Sequence, residues 1–134
     1  MPWEFERDEA FEKALRDLKK RFPNVEKDVL AEFESGPPQY TDPLPKFQRK
    51  LWKGRAASRD ARRGKSGGFR VIYYWDEESP NWACIGTCYF KGDFANLPEH
   101  ELNRLFISVK ARYEQFMERE RLKQAEPTHE NTQD

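Results

Sequence analysis

Residues 69–75 read Phe-Arg-Val-Ile-Tyr-Tyr-Trp, β-branched or aromatic at every position but Arg70, and then run into the turn-forming stretch Asp-Glu-Glu-Ser-Pro-Asn. A run of this kind is a β-strand, so the chain is committed to building a sheet. Alternation places Phe69, Val71, Tyr73 and Trp75 on one face and Arg70, Ile72 and Tyr74 on the other. Residues 82–91 predict a further strand across the turn. Residues 47–55 carry Leu51 and Trp52 among basic residues and read as a strand with one strongly positive face. Residues 3–6 form a short first strand.

Helices flank this sheet. Asp8 is an N-cap for a helix running to about Arg21, in which Phe11, Ala14, Leu15, Leu18 and Phe22 line one face. Pro23 ends it, and Asn24 caps a second helix that uses Val25, Val29, Leu30 and Phe33 until Gly36-Pro37-Pro38. A loop with further prolines, Pro43 and Pro45, follows. Two helices joined by a short turn form a hairpin whose apolar stripes need a partner surface. A long final helix opens at Asn96-Leu97-Pro98-Glu99 and packs through Leu102, Leu105, Phe106, Val109, Tyr113 and Phe116. Past Glu118 the apolar stripe is lost and the helix projects or frays; from Glu126 the tail is polar and disordered. The expected fold is α+β: an N-terminal helical hairpin on a small twisted antiparallel sheet, closed by a long C-terminal helix. Residues 1–117 make the domain, and residues 118–134 an extension.

At 134 residues, one domain is expected. Hydrophobic residues make up only 37% against 36% charged, with a mean hydropathy of −1.06, so the core must be compact and lean on its 14% aromatics. No apolar run approaches a membrane span of roughly 18 residues, and the acidic start lacks the plan of a signal peptide. The expected location is therefore cytoplasmic, away from membranes. Cys84 and Cys88 are too few for a disulfide scaffold. On one strand they stand about 13 Å apart, too far to bond, and read as buried small residues. With two histidines they suggest no metal site, and no cofactor is called for. The four tryptophans read as core, as do Tyr73 and Tyr74.

Charge is balanced in total, with 24 basic and 24 acidic residues, but not in position. Residues 46–70 hold ten cations against Asp60 alone, a local charge of +9 that leaves −9 on the rest of the chain. Such a segment is either a solvated run with scattered counter-charges or a polyanion site; the near absence of acids within it favours the second. The connection over residues 56–68, AASRDARRGKSGG, is long for a hairpin, which makes it a mobile basic finger or plain surface slack. Its Gly64-Lys65-Ser66 is not a phosphate-binding P-loop: Arg59 stands where that motif needs glycine, and a strand follows where it needs a helix.

The run from Arg62 to Tyr74, RRGKSGGFRVIYY, resembles the RelE/HigB-like toxins of bacterial type II toxin–antitoxin modules, in which a glycine-rich GKSGG(Y/F)RVIY segment leads into a strand. Trp52-Lys53-Gly54-Arg55 is similar to that family's lysine-x-arginine strand, and Cys88-Tyr89-Phe90-Lys91 to its tyrosine-x-lysine strand end. The order of elements matches over about residues 3–117. The resemblance implies a toxin that cleaves mRNA on translating ribosomes, with a cognate antitoxin, of helix-turn-helix type, as partner. After Lys91 some members carry an arginine and a tyrosine that serve acid and base-stacking roles. Gly92-Asp93-Phe94-Ala95-Asn96 has no arginine here, which leaves the acid for the leaving 5′-oxygen without an assigned residue.

Metal-free RNA cleavage uses the 2′-hydroxyl as nucleophile and needs a base, cations on the phosphoryl oxygens and an acid. His100 lies in a helix and His129 in the tail, so the work falls to lysine and arginine. Lys53 is the candidate base, because neighbouring cations lower a lysine pKa. Arg55, two residues on and on the same face, is the candidate phosphate clamp, and Arg70 the bidentate stabiliser of developing charge. Lys50, Arg62, Arg63, Lys65 and Lys91 are candidate RNA contacts, with Phe94 a candidate base-stacking ring. Taken one by one, these cations also fit exposed strand edges that deter aggregation. Two other functions share this fold: a toxin that poisons gyrase without cleaving RNA, and a nucleic-acid-binding regulator that has lost activity.

Overall fold

The computed structural model describes residues 2–79 and 81–125. Five strands form one mixed sheet: β1 (Glu4–Arg7), β2 (Thr41–Pro43), β3 (Leu51–Ala56), β4 (Phe69–Tyr74) and β5 (Trp82–Phe90), in spatial order β1-β5-β4-β3-β2. The helices are α1 (Glu9–Leu18), α2 (Val25–Leu30), continued by a 3-10 turn at Ala31–Phe33, and α3 (Glu99–Ala125). The protein is thus α+β. The sheet is not purely antiparallel as expected, because β1 runs parallel to β5. A parallel neighbour needs a long crossover, and everything from α1 to β4 supplies it.

β4 sits at the centre, every residue buried, which is what a continuous β-branched and aromatic run requires. On one face, Phe11, Leu15 and Leu18 of α1 and Val25 and Val29 of α2 pack with Trp52, Phe69, Val71 and Tyr73. On the other, Leu105, Val109 and Phe116 of α3 pack with Leu51, Ile72, Tyr74 and Trp82. Asp8 caps α1 by accepting from the Ala10 N–H at 3.0 Å, and also accepts from Ser108 Oγ at 2.6 Å and Arg112 Nε at 3.0 Å, tying α1 to α3.

Several sequence expectations shift. α1 ends at Leu18, with residues 19–21 in turns. Asn24 makes no side-chain cap; its amide donates to Asp60 instead. The strand expected from Phe47 begins only at Leu51, because Lys46, Gln48 and Arg49 have φ near +74°, +59° and +56°, values no strand residue adopts. The proline-rich loop contains β2, whose Pro43 is tolerated because the strand lies at the sheet edge. Residues 57–68 are neither a free finger nor slack. Ser58 and Arg63 pair through two backbone bonds of 2.9 Å, while Asp28 and Asn24 hold Arg59 and Asp60 against α2. α3 runs on unbroken to Ala125, though its last buried residue is Phe116. The tail from Glu126 and His129 lie outside the described residues.

β5 carries one structural surprise. The register against β4 slips between Ile72 and Tyr73, so Gly86 has no partner and forms a bulge. The slip reverses the alternation: Cys84 faces α3 and Cys88 faces α1, although they are four residues apart. Both are buried free thiols, and burial pushes both up to about 12. No helix among the described residues is long and apolar enough to cross a membrane.

Candidate functional site

Lys53 and Arg55 share the sheet face of Leu51, and Arg70 shares it with Ile72 and Tyr74. This is the face that α3 covers at its other end. Strand register lines the groups up across the sheet. Arg55 stands opposite Arg70, and Arg70 opposite Tyr89, while Asp42 stands opposite Lys53. The three cations therefore converge beyond the edge of α3, on a patch edged by residues 91–98 leading into that helix.

The neighbours of Lys53 set its chemistry. Burial is the main force lowering its pKa, followed by repulsion from Arg70, Arg55 and Lys91, and only Asp42 works the other way. Its ammonium donates to Asn96 Oδ1 at 2.8 Å. A lysine so placed gives up its proton more readily than one in water, as a neutral-pH base must. Lys91 is exposed at the end of β5, where its N–H donates to Gly68 O.

Arg70 sits differently from the sequence expectation. It is only 5% exposed, and its guanidinium donates to the Lys65 carbonyl at 3.0 Å and the Ser66 carbonyl at 2.8 Å. It therefore pins the glycine-rich segment onto the sheet. Burial, then Arg55, hold its pKa down. Its positive field still reaches Lys53; a free two-pronged clamp on phosphate it is not.

The remaining cations divide by their partners. Lys46 meets Glu99 at 3.3 Å, Arg49 meets Glu77 at 3.3 Å, and Lys50 meets Asp76 at 3.9 Å. Arg59 meets Asp28 at 2.6 Å, and Lys65 meets Glu32 at 3.3 Å. Half of the ten cations are thus answered by acids from elsewhere in the chain. Among the described residues, Lys53, Arg55, Arg62, Arg63 and Arg70 form no ion pair. Of these, Arg62 and Arg63 ride on the part of the loop fastened to α2. The structure gathers Lys53, Arg55, Arg70 and Lys91, and does not gather Lys50, Arg62, Arg63 or Lys65 with them.

Phe94 is 45% exposed and stacks on Tyr89, ring centroids 4.9 Å apart, while the Tyr89 hydroxyl donates to Ala95 O. Arg21 holds the same loop to the end of α1 through two bonds to Asp93, of 2.7 and 3.1 Å. Asp42, Tyr89 and Asn96 are site residues that the sequence reading missed. Of these, Tyr89 carried a signal, the tyrosine-x-lysine strand end; alternation counted from Trp82 puts it on the α1 side, and the Gly86 bulge turns it to the patch.

The patch offers a partly buried amine, fixed guanidinium charge and an exposed aromatic ring, a set suited to a phosphate flanked by a planar base. No group of three or more His, Cys, Asp or Glu side chains among the described residues is arranged to hold a metal ion. A comparison with models of known protein families gives no match, and neither does a comparison with curated proteins.

Proposed function

We propose that this chain is the toxin of a type II toxin–antitoxin module of the RelE/HigB kind, an endoribonuclease that cuts mRNA on translating ribosomes and so inhibits translation. The observation that carries the reading is the convergence of Lys53, Arg55 and Arg70 from two strands onto the end of one sheet face that lies beyond α3, with Lys53 lowered in pKa by its surroundings. In this reading neutral Lys53 takes the proton of a 2′-hydroxyl, whose oxygen attacks the adjacent phosphorus. The bond to the 5′-oxygen breaks, that oxygen takes a proton from water to leave as a 5′-hydroxyl, and the other fragment ends in a 2′,3′-cyclic phosphate. Arg55 and the buried charge of Arg70 offset the negative charge that grows on the phosphoryl oxygens. Phe94 stacks on a neighbouring base, and Lys91 contacts the backbone. The reading takes α1 and α2 as the family's leading helical hairpin and α3 as its closing helix, with a helix-turn-helix antitoxin as partner and the cytoplasm as the place of action.

The test is purified protein added to translating ribosomes, with cleavage mapped by primer extension. Discrete new 5′ ends that vanish in Lys53→Ala and Arg55→Ala support the proposal. Intact mRNA throughout overturns it. The tethering of Arg70 to Lys65 and Ser66 favours one second reading, a non-cleaving nucleic-acid binder on the same fold. In the same experiment it gives RNA association without new ends.

A further inference from the structure

The chain between β5 and α3 is tied down residue by residue. The Asp93 N–H donates to Phe90 O at 3.0 Å, so the backbone turns as soon as β5 ends. Asp93 then accepts two bonds from Arg21, of 2.7 and 3.1 Å, and the Arg21 guanidinium lies over the Phe22 and Phe90 rings, 4.7 and 5.7 Å from their centroids. Those rings belong to the α1 side of the sheet. Phe94 stacks on Tyr89, the Tyr89 hydroxyl holds Ala95 O at 2.9 Å, and Asn96 Oδ1 accepts from Lys53 Nζ at 2.8 Å on the α3 side. Residues 93–96 are all exposed. Asp93, Phe94 and Leu97 line a groove of about 1040 Å³ shared with α1 and α3, while Asn96 reaches away from it to Lys53. The segment therefore keeps its place through these few bonds and not through core packing.

We propose that Asn96 is the positioning residue of the Lys53 amine, and that Arg21–Asp93 is the clasp that sets Asn96 in place from the opposite side of the sheet. The inference rests on the ribonuclease reading and concerns how its base is aimed. An ammonium has three N–H groups and no lone pair; the neutral amine has two N–H groups and one lone pair. With one N–H held on Asn96 Oδ1, the lone pair is confined to the other two tetrahedral directions, both turned away from Asn96. Without that bond the amine rotates freely about its last C–N bond and the lone pair sweeps a full circle. Asp93 and Asn96 are three residues apart, a span of about 10 Å at most, so a shift at the clasp reaches Lys53. The bond to Asn96 also favours the ammonium form. Position and acidity thus pull in opposite directions, and this separates a positioning role from an electrostatic one.

The full chain is assayed on translating ribosomes for kcat and KM, with the Lys53 side chain titrated by NMR in parallel. Asn96→Leu removes the acceptor, so the Lys53 pKa falls and more of the amine is neutral. Cleavage nonetheless slows roughly ten- to a hundredfold in kcat with KM unchanged, the scale of a misplacement of about an ångström. Asn96→Asp keeps the oxygen and adds a charge, so the pKa rises and the rate recovers toward the parent's as pH rises. Arg21→Gln and Asp93→Asn each lower kcat about fivefold, the scale of one exposed ion pair, and the exchange of the two, Arg21→Asp with Asp93→Arg, restores it. Lys19→Gln, which removes an exposed cation near the same end of α1 paired with Glu26, leaves kcat alone. If Asn96→Leu cleaves as fast as the parent or faster while Lys53→Ala cleaves nothing, this inference falls and the ribonuclease reading stands. Parent-like kcat in both Arg21→Gln and Asp93→Asn overturns the clasp. Intact mRNA with the parent protein takes down this inference and the reading beneath it together.

Discussion

A lysine becomes useful as a base only if its surroundings disfavour the ammonium form, and Lys53 owes this to burial first and to Arg70, Arg55 and Lys91 after it. Cleavage is accordingly expected to rise with pH on the way to a Lys53 pKa that lies below 10.5, since only the neutral amine accepts a proton. Lys53→Ala should lower the rate by about two to four orders of magnitude, the usual worth of a positioned base. Asp42 is the one charged neighbour that favours the ammonium form. Asp42→Asn should move the rising limb of the pH–rate profile to lower pH; an unmoved profile would break the link between this pair and the chemistry. The sign for stability follows from the same shift. The unfolded chain binds the Lys53 proton more tightly than the folded one, so this residue costs stability at neutral pH. That cost is relieved as pH rises from the folded toward the unfolded pKa. An NMR titration of the Lys53 side chain with and without Asp42 reads the shift without any appeal to activity.

At the scale of elements, the glycine-rich segment matters for closure of the β3–β4 connection. A Cβ on Gly68 would lie 2.2 Å from the Ala56 carbonyl oxygen and 2.8 Å from the Ser58 nitrogen, and neither backbone atom can move aside cheaply. Gly68→Ala should therefore destabilise the fold by about 3 kcal/mol in denaturant unfolding, the upper range for a single substitution. Gly64, with open space around its missing Cβ, should tolerate the same change with almost no effect. These elements also mark where sequence alone is informative. β4 and the Asp8 cap were legible because each is local: a composition and a capping side chain; the end of α1 at Leu18, short of Pro23, was not. β2 was not, because three residues with a proline become a strand only by pairing with β3. The parallel placement of β1 and the bulge at Gly86 escaped for the same reason, being settled by contacts distant in the chain. So it is with the site. Alternation placed Lys53 and Arg55 together, and it placed Arg70 with Ile72. That these two rows face the same way, beside Asp42 and Asn96, depends on register between strands. The capture of Arg70 by the Lys65 and Ser66 carbonyls depends on how the loop folds back, which no spacing encodes.

Over the whole molecule, zero net charge coexists with a segment of +9, and folding decides how much of that charge faces outward. Glu99, Glu77, Asp76, Asp28 and Glu32, all outside the segment, answer five of its cations. The surplus that makes the sequence look like a polyanion site is therefore largely spent within the fold. What remains open is a patch of a few charges, fit for a short stretch of backbone and unfit for coating a long one. Salt dependence measures this directly, because each phosphate neutralised on a single strand adds about −0.7 to the slope of log K against log salt. With Lys53, Arg55 and Lys91 as the contacts, the slope for a single-stranded oligonucleotide should be about −2 by that rule. Arg55→Ala should make it shallower by about 0.7. Arg49→Ala, which removes an exposed cation paired with Glu77, should leave it where it was. Fluorescence anisotropy titrations over a range of salt concentrations test the difference. A slope near −7, one unit of 0.7 for each of the ten cations, would mean that RNA strips the internal ion pairs and binds the whole segment.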